Sequence, residues 1–431
     1  MAAIDISNNQ RIPRILDLLG SIPSFQDPHE LVKHFVRSMN RAYNHRSYVQ
    51  IANRGLPAGQ YRIQHILGEG GKVIVEYRAD ISTTPISRGG ILAELVATPT
   101  PKLLHDVDLS REPLLDGKLG RYRSLMAVPV ISVDVPIDWV VLLETEEVLS
   151  ERDVEDLIMR ANLVGAMAQN LQTSNQLRLA NAHIEAELEQ IARIQRALLP
   201  DHLPRIPGIE IATSYHTFDI VGGDLYDFAP FRKDGRINEE RWAFLIGDVS
   251  GHGPAAAVVM AMFHAIIHSY PIDPTGPGDV LRHVNRHLFA KSIENSFVTA
   301  FLGFYEPRTR ELIYARAGHN PPLLKEFPHR GQARQLDAVG EIPLGIMEDV
   351  KYSESSIVLH PGQTLILYTD GITEAKRPGG EMFGVEGIER SLVHCSGAPD
   401  CAISHITEAL KEHQVNVRPN DDQTVVVMQI V

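Results

Sequence analysis

Apolar positions recur along this chain with two periods, and the switches between them mark its parts. Leu31, Val32, Phe35, Val36 and Met39 fall at helical spacing and predict an amphipathic helix over residues 28–41. Alternation at 48–52 and 61–66 predicts strands, and residues 123–131 and 137–144 predict two more, joined by a short turn around Asp134 and Pro136. Ser150-Glu151-Arg152-Asp153 has the form of a capping box. It opens a segment that reaches Leu199 with no proline and one glycine, Gly165, before Pro200 and Pro204 stop it. A continuous helix of that length spans about 70 Å at 1.5 Å per residue. Its second half repeats Leu177, Ile184, Ile191 and Leu198 at one heptad position and Ala180 and Ile194 at the other, with Glu187 breaking the second position. Such a seam predicts a parallel homodimer through a short coiled coil, and it equally suits a helix packed on its own domain.

A second region begins near Arg205. Residues 209–215 alternate, 232–241 read as a charged loop, and the apolar run Trp242-Ala243-Phe244-Leu245-Ile246 predicts a strand. That strand enters Gly247-Asp248-Val249-Ser250-Gly251-His252-Gly253, and an apolar helix follows over 255–267. A helix over 279–292, a hairpin of 297–305 with 311–317, a strand over 363–370, a helix over 402–413 and a strand over 424–430 complete the pattern. The chain has no internal repeat and no low-complexity tract.

Composition narrows this picture only slightly. A length of 431 residues favours two or three domains, and 44% hydrophobic with 22% charged residues is ordinary for a folded protein. The net charge of −13 predicts no nucleic-acid partner. The two cysteines, Cys395 and Cys401, are too few for a disulfide framework or a zinc site by spacing alone, and they suit a reducing cytoplasm. No basic segment precedes a long apolar run at the N-terminus, and the longest apolar run, 255–267, is too short for a membrane span and contains His264. A cytoplasmic protein with no membrane partner is expected.

The chemistry lies in four carboxylates at strand ends. Asp224 follows Gly222-Gly223, Asp248 ends a strand before a glycine-rich bend, Asp370 ends a strand before Gly371, and Asp421 stands just before the last strand. Each alone reads as a turn residue. In an antiparallel sheet the end of one strand lies beside the start of its neighbour, so Asp370 and Asp421 are expected to share an edge with Asp248. Carboxylates brought together without Lys or Arg repel unless divalent cations lie between them. Oxygen-only ligation points to Mg²⁺ or Mn²⁺.

At this point the chain resembles a known family. Gln195-Arg196-Ala197-Leu198-Leu199-Pro200, Gly222-Gly223-Asp224-Leu225-Tyr226-Asp227, the Gly247–Gly253 bend with Ala255-Ala256, and Phe297-Val298-Thr299-Ala300 occur in order. Ala317-Gly318-His319-Asn320-Pro321-Pro322, Tyr368-Thr369-Asp370-Gly371-Ile372-Thr373-Glu374-Ala375 and Asp421-Asp422-Gln423-Thr424 follow. Together they are similar to the metal-dependent PPM-type serine/threonine phosphatases of the sporulation-E and sigma-regulator branch. The resemblance implies an α–β–β–α sandwich holding two Mn²⁺ or Mg²⁺ ions. Asp248 would bridge them, the Val249 carbonyl would complete one shell, Asp224 would serve the second ion, and Asp370 and Asp421 the first. A water bridging the two ions would attack phosphorus. Asp227, Gly371, Asp422 and Asn320 are secondary candidates. His252 is a candidate acid, although three residues separate it from Asp248 where eukaryotic relatives have a shorter spacing. The implied substrate is a phosphorylated anti-sigma-factor antagonist or similar partner-switching protein.

The first region resembles a GAF domain, a small sensory fold around an antiparallel sheet. The carriers are Ser124-Leu125-Met126-Ala127-Val128-Pro129-Val130, Trp139-Val140-Val141-Leu142-Leu143-Glu144 and Leu149-Ser150-Glu151-Arg152-Asp153. No motif selects its ligand, so a small molecule or a protein could be the activator. The expected organisation is α+β: an N-terminal segment over 1–24, a GAF-like domain over 25–170, a helical linker over 171–204 with a possible coiled coil, and a phosphatase domain over 205–431. Two rivals are weighed. A nucleotide cyclase shares Gly-Gly-Asp but has no reason to contain the Gly247–Gly253 or Asp421–Thr424 segments. A catalytically silent binding module should lack a ligand, and none of the four carboxylates is missing.

Overall fold

The computed structural model describes Gly20, Tyr122 and residues 25–42, 47–68, 72–76, 82–108, 124–132, 135–145, 149–233, 236–270, 274–291, 296–326, 333–415 and 417–431. The N-terminal segment, apart from Gly20, and the turn residue Asp134 lie outside the described residues. The chain divides into two units, Met1–Ala182 and His183–Val431.

In the first unit helix α1 (Pro28–Ala42) precedes strands β1 (Ser47–Ala52), β2 (Gln60–Leu67), β3 (Val73–Val75) and β4 (Ser87–Arg88). Helix α2 (Gly90–Val96), β5 (Lys102–His105), β6 (Ser124–Ser132), β7 (Val135–Glu144) and the start of α3 (Glu151–Arg196) follow. The antiparallel sheet runs β3-β2-β1-β7-β6-β5, with β4 on β2. Both faces are covered, which explains why β6 and β7 are apolar at nearly every position. Leu125, Ala127, Trp139, Val141 and Leu143 join Leu92 and Leu95 of α2 on one side. Met126, Val128, Val140 and Leu142 join Leu31 and Phe35 of α1 and Leu157, Ala161 and Val164 of α3 on the other. Successive strand side chains point to opposite faces, so the two cores interleave in sequence.

Helix α3 starts where the capping pattern placed it. The Ser150 N–H and Oγ both donate to Asp153 Oδ2, at 2.9 and 2.7 Å. The helix ends at Arg196 in a tighter turn, with Leu198 N–H donating to Gln195 O and Leu199 N–H to Arg196 O. Its heptad seam splits in use. Leu177, Ile184 and Ile194 are 61%, 52% and 66% exposed, whereas Ile191 packs beside Ala192, Val221 and Ala257.

The second unit is a four-layer sandwich. One sheet runs β15-β12-β11-β10-β9 and the other β14-β13-β16-β17-β8. The first holds β9 (Leu225–Lys233), β10 (Arg236–Val249), β11 (Val298–Glu306), β12 (Glu311–Ala317) and β15 (Glu354–Val358). The second holds β8 (Ile209–His216), β13 (Leu323–Glu326), β14 (Arg334–Gln335), β16 (Gln363–Tyr368) and β17 (Gln423–Ile430). Between them lie Tyr226, Phe228, Phe244, Ile246, Leu365 and Val426. Helices α4 (Pro254–His268) and α5 (Pro277–Ala290) cover the first sheet through Met260, Phe263, Leu281 and Val284. A short turn α6 (Asp370–Thr373) leads to α7 (Gly384–Ser391) and α8 (Pro399–Gln414), which cover the second sheet through Ile388, Ile406 and Leu410. The stretch 232–241, expected as a charged loop, instead contributes to the β9–β10 hairpin, where Asn238 pairs with Phe231. Cross-strand pairing overrides its charge. Arg241 keeps its guanidinium 4.9 Å from the Phe231 ring centre, a cation–π contact that makes a charge compatible with a sheet face.

Gly165 marks where α3 presses closest to the sheet, since a Cβ there would overlap Cγ1 of Val130 on β6. Gly165→Val is therefore expected to lower stability by about 1–3 kcal/mol in denaturant unfolding. In a Val130→Ala background the same change should cost clearly less. Equal costs in the two backgrounds would show that this contact does not limit the packing.

Candidate metal centre

Two sheets meet at the edge that carries the acidic residues. Asp248 sits on β10 opposite Thr299 of β11. Asp370 and Asp421 belong to the other sheet, beyond the Tyr368–Val425 pair of β16 and β17. The shared-edge expectation thus holds for Asp370 and Asp421. Asp248 differs: it faces them from the opposing sheet, because its strand pairs with β9 and β11 and not with β16.

Asp224 joins the sheets. It precedes β9 of the first sheet, yet its Oδ2 accepts hydrogen bonds from Thr369 Oγ1 (2.8 Å) and Thr424 Oγ1 (2.5 Å) at the ends of β16 and β17 in the second. The side chain is 1% exposed, and its Oδ1 has no partner among the described residues. A buried carboxylate oxygen with nothing to bond is costly unless a cation completes it. Burial and the charge of Asp422 push the Asp224 carboxyl well above its ordinary value, against the two threonine bonds.

The neighbouring acids report the same crowding. Burial raises Asp248 to about 10, with the charges of Asp224, Asp370, Asp421 and Asp422 adding to the effect. Burial and Asp421 raise Asp370 to about 6. Asp421 is also raised by burial, while its own Oδ1 accepts the Asp422 N–H at 2.9 Å. An oxygen-only cluster whose members suppress one another's ionisation has the donor chemistry of a hard divalent cation site. The residues present therefore fit Mg²⁺ or Mn²⁺.

Glycines make the approach possible. A Cβ on Gly223 would stand 2.7 Å from the Val249 carbonyl oxygen, and one on Gly222 would run into the Asp422 carboxylate. A Cβ on Gly371 would overlap the Asp422 carbonyl. Gly371 is thus a spacing residue that lets the Asp370 turn lie against the Asp421–Asp422 backbone.

The secondary candidates separate by contact. Asp422 is 2% exposed and accepts the N–H groups of Phe218 (2.7 Å) and Gly223, so its carboxylate holds the Asp224 loop. Asp227 points to the helix side of the first sheet, between the inward-facing Tyr226 and Phe228. There its Oδ1 accepts its neighbour Phe228 N–H, and its Oδ2 lies 2.6 Å from His268 Nε2 on α4. His252 is exposed and meets the Phe218 ring edge-on at 5.1 Å. His319 is buried, with Nδ1 2.8 Å from Thr299 Oγ1; burial and the nearby Arg316 charge lower it to about 3. Asn320 is half-buried beside it.

Several contributors escaped the reading of carboxylates. Thr369 and Thr424 hold Asp224, although both lie in motif segments. Gln195, in the last turn of α3, is 4% exposed; its Nε2 donates to Gly222 O at 2.6 Å and its Oε1 accepts Gly222 N–H at 3.1 Å. A polar residue inside an apolar helix stripe, just before a proline stop, was the available signal.

Residues 238–431 match the family model described as Stage II sporulation protein E (SpoIIE). Phosphoserine phosphatase RsbU of Bacillus subtilis is 28% identical over 255 residues, covering 59% of this chain and 72% of its own length. Phosphoserine phosphatase RsbP of the same organism is 28% identical over 192 residues; the match covers 44% of this chain and only 45% of RsbP. The SiaA PP2C domain of Pseudomonas aeruginosa superposes with a TM-score of 0.50 at 23% identity, covering 58% of this chain and 99% of that domain, a likeness of fold. The sandwich, the acidic edge and these matches agree: the C-terminal unit is a SpoIIE-type PPM protein serine/threonine phosphatase domain.

Proposed function

We infer that the protein hydrolyses phosphoserine or phosphothreonine on a small partner-switching protein of the anti-sigma-factor-antagonist kind, under control of its N-terminal unit. The observation that carries the reading is the buried Asp224, with one oxygen fixed by two threonines and the other facing like-charged neighbours. Asp224, Asp248, Asp370, Asp421 and the Val249 carbonyl would hold two ions, Mn²⁺ or Mg²⁺. Bound there, such ions make water nucleophilic near neutral pH and neutralise phosphoryl charge. The chain's own residues fix the geometry: Thr369 and Thr424 orient Asp224, and Asp422 pins the Gly222–Gly223 backbone. His319, held neutral by burial, is unsuited to donate the proton needed by the leaving seryl oxygen. His252 stands exposed near Asp421 and is the remaining histidine candidate for that proton. The relatives' printed names, phosphoserine phosphatase RsbU and RsbP, support the substrate class.

The N-terminal unit is read as a GAF-like sensor. Supporting this is a cavity of about 290 Å³ bounded by α1, the sheet and α3, with Gln50, Gln64, Arg54 and Asp138 among its polar lining. Burial raises Asp138 to about 7 against the charge of Arg54. The exposed Leu177 and Ile184 of α3 support a dimer through that helix. Among the described residues no helix is long and apolar enough to cross a membrane.

The decisive assay is Mn²⁺-dependent release of phosphate from a phosphorylated anti-sigma-factor antagonist. Asp248→Asn and Asp370→Asn should each lower turnover by at least about a hundredfold, the scale of losing charge stabilisation at a reacting group. Undiminished turnover in both variants would sink the assignment.

Stability of the metal-free protein should also depend on pH. Asp370 and Asp248 titrate in the fold near 6 and 10, against about 4 when unfolded. The folded chain therefore holds protons that the unfolded chain releases. Their stabilisation is fully present below about pH 4 and is lost as pH rises through 6 and on towards 10. Chelated protein should melt at progressively lower temperature from pH 5 to pH 9, with Asp248→Asn flattening the upper part of the slope and Mn²⁺ opposing the decline. A flat wild-type profile would contradict the electrostatic reading.

Gln195→Leu should leave two Gly222 backbone groups without their amide partner, at a cost of about 1–3 kcal/mol. If α3 regulates through this contact, turnover should fall while the Asp248 variants stay inactive in either background. Full activity with normal Mn²⁺ dependence would remove Gln195 from the control path.

A further inference from the structure

Cys395 and Cys401 are the only cysteines in the chain, and neither is in a disulfide. Six positions apart in sequence, they have their Sγ atoms 3.1 Å apart in the fold, with Cys395 placed to donate to Cys401. Their surroundings are opposite in kind. Cys395 is 6% exposed, within the core of α7, α8 and the second sheet, and its sulfur accepts the Gly397 N–H at 3.3 Å. Cys401 is half-buried and lies third in α8, after Pro399 and Asp400. The first turn of a helix offers unsatisfied N–H groups and a favourable dipole to an anionic sulfur.

We propose that Cys395 and Cys401 form a reversible intramolecular disulfide, with Cys401 as the attacking thiolate and Cys395 as the thiol that resolves the intermediate. The bonds from Cys395 and then Ser396 lower the Cys401 thiol and favour its ionised form, and its place in the first turn of a helix acts in the same direction. Burial, first, and the bond to Cys401 raise Cys395 to about 11, which keeps it protonated until a neighbouring disulfide is present to accept it. The co-reactant is a low-molecular-weight disulfide, RSSR. Cys401–S⁻ attacks one sulfur, forms a Cys401–S–SR bond and expels RS⁻. Cys395–SH then loses its proton to RS⁻ or water, attacks the Cys401 sulfur and expels the second RS⁻. Two protein thiols are oxidised by two electrons, and one RSSR is reduced to two thiols.

The approach required is small. The sulfurs must close from 3.1 Å to about 2.0 Å. The connecting loop is held in place by Thr364 Oγ1, which donates to Gly397 O at 3.1 Å. A metal clip is the rival occupant, because His405 brings a ring nitrogen to the same group, with the ligand atoms within 4.8 Å of one another. One feature favours the disulfide: two sulfurs on one tetrahedral zinc stand about 3.8 Å apart, given Zn–S bonds near 2.3 Å, which is wider than the pair found here.

The test uses the purified full chain, reduced and then titrated with oxidised glutathione, quenched in acid, alkylated under denaturing conditions and weighed intact. The expected monomer loses two hydrogens and both alkylation sites, and dithiothreitol restores them. Cys395→Ser should accumulate one glutathione adduct, at Cys401. Cys401→Ser, checked for folding by circular dichroism, should form adduct at least about tenfold more slowly. Three results would each overturn the proposal: both thiols alkylated in excess oxidant, disulfide-linked dimers in place of the intramolecular bond, or one equivalent of zinc that protects the thiols and is lost in His405→Ala.

Discussion

Everything near the acidic edge depends on burying Asp224 between two sheets. A carboxylate with 1% exposure and like-charged neighbours strongly opposes folding if left alone. Two threonine hydroxyls satisfy one oxygen and leave the other without a partner among the described residues. The protein thus offsets only part of the cost internally. A divalent cation bound there would supply the remainder, so that binding affinity and folding stability would draw on the same unfavourable state. Burial and neighbouring carboxylates raise both Asp224 and Asp248. A fixed internal cation would relieve the repulsion and weaken the demand for metal.

That constraint propagates into the backbone. To place Asp224 at the end of β16 and β17, the Gly222–Gly223 segment must pass against both the Asp422 carboxylate and the Val249 carbonyl. Side chains cannot fit there, and Asp422 fills the space while accepting the Gly223 N–H. Asp421 and Asp422 are consecutive, yet they divide the work. One carboxylate stays half-buried near Asp370, and the other turns inward to hold a loop. Position alone, not residue type, makes one a candidate ligand and the other a brace.

Much of the second unit was legible from alternation at 209–215, apolar runs such as 242–246 and 363–370, and apolar helical faces such as 255–267, whereas the short strands β13, β14 and β15 and the helix α7 were not predicted. The four carboxylates were legible because each stood at a strand end, three of them (Asp224, Asp248 and Asp370) beside a glycine and Asp421 just before the last strand. What the sequence could not convey was which sheet each strand joined. Pairing of β10 with β9 and β11 depends on contacts far apart in the chain, so Asp248 was expected on the edge it in fact faces. The stretch 232–241 was misread for a related reason: charge suggested a loop, whereas hairpin pairing and a ring beneath Arg241 stabilise strand. Asp227 was ambiguous by motif. Strand alternation resolves it, since Tyr226 and Phe228 face the inter-sheet core and Asp227 must face α4. Thr369, Thr424 and Gln195 have no chemistry that marks them until a buried partner is known.

Gln195 shows how a helix end can matter to the centre without supplying a ligand. Its side-chain amide bonds both backbone groups of Gly222, two residues before Asp224. On the same turn Ala192 packs on Val221 and on Ala257 of α4, whose N-terminal end follows the Asp248 bend. The end of α3 therefore touches the segments that carry two of the four carboxylates. A rotation or shift of this turn that broke the amide pairing would free Gly222 and, with it, the backbone that keeps Asp224 against its threonines. The amide pairing on Gly222 and the two threonine bonds together offset part of the cost of burying Asp224, so loss of the pairing at the helix end would weaken the hold on that carboxylate.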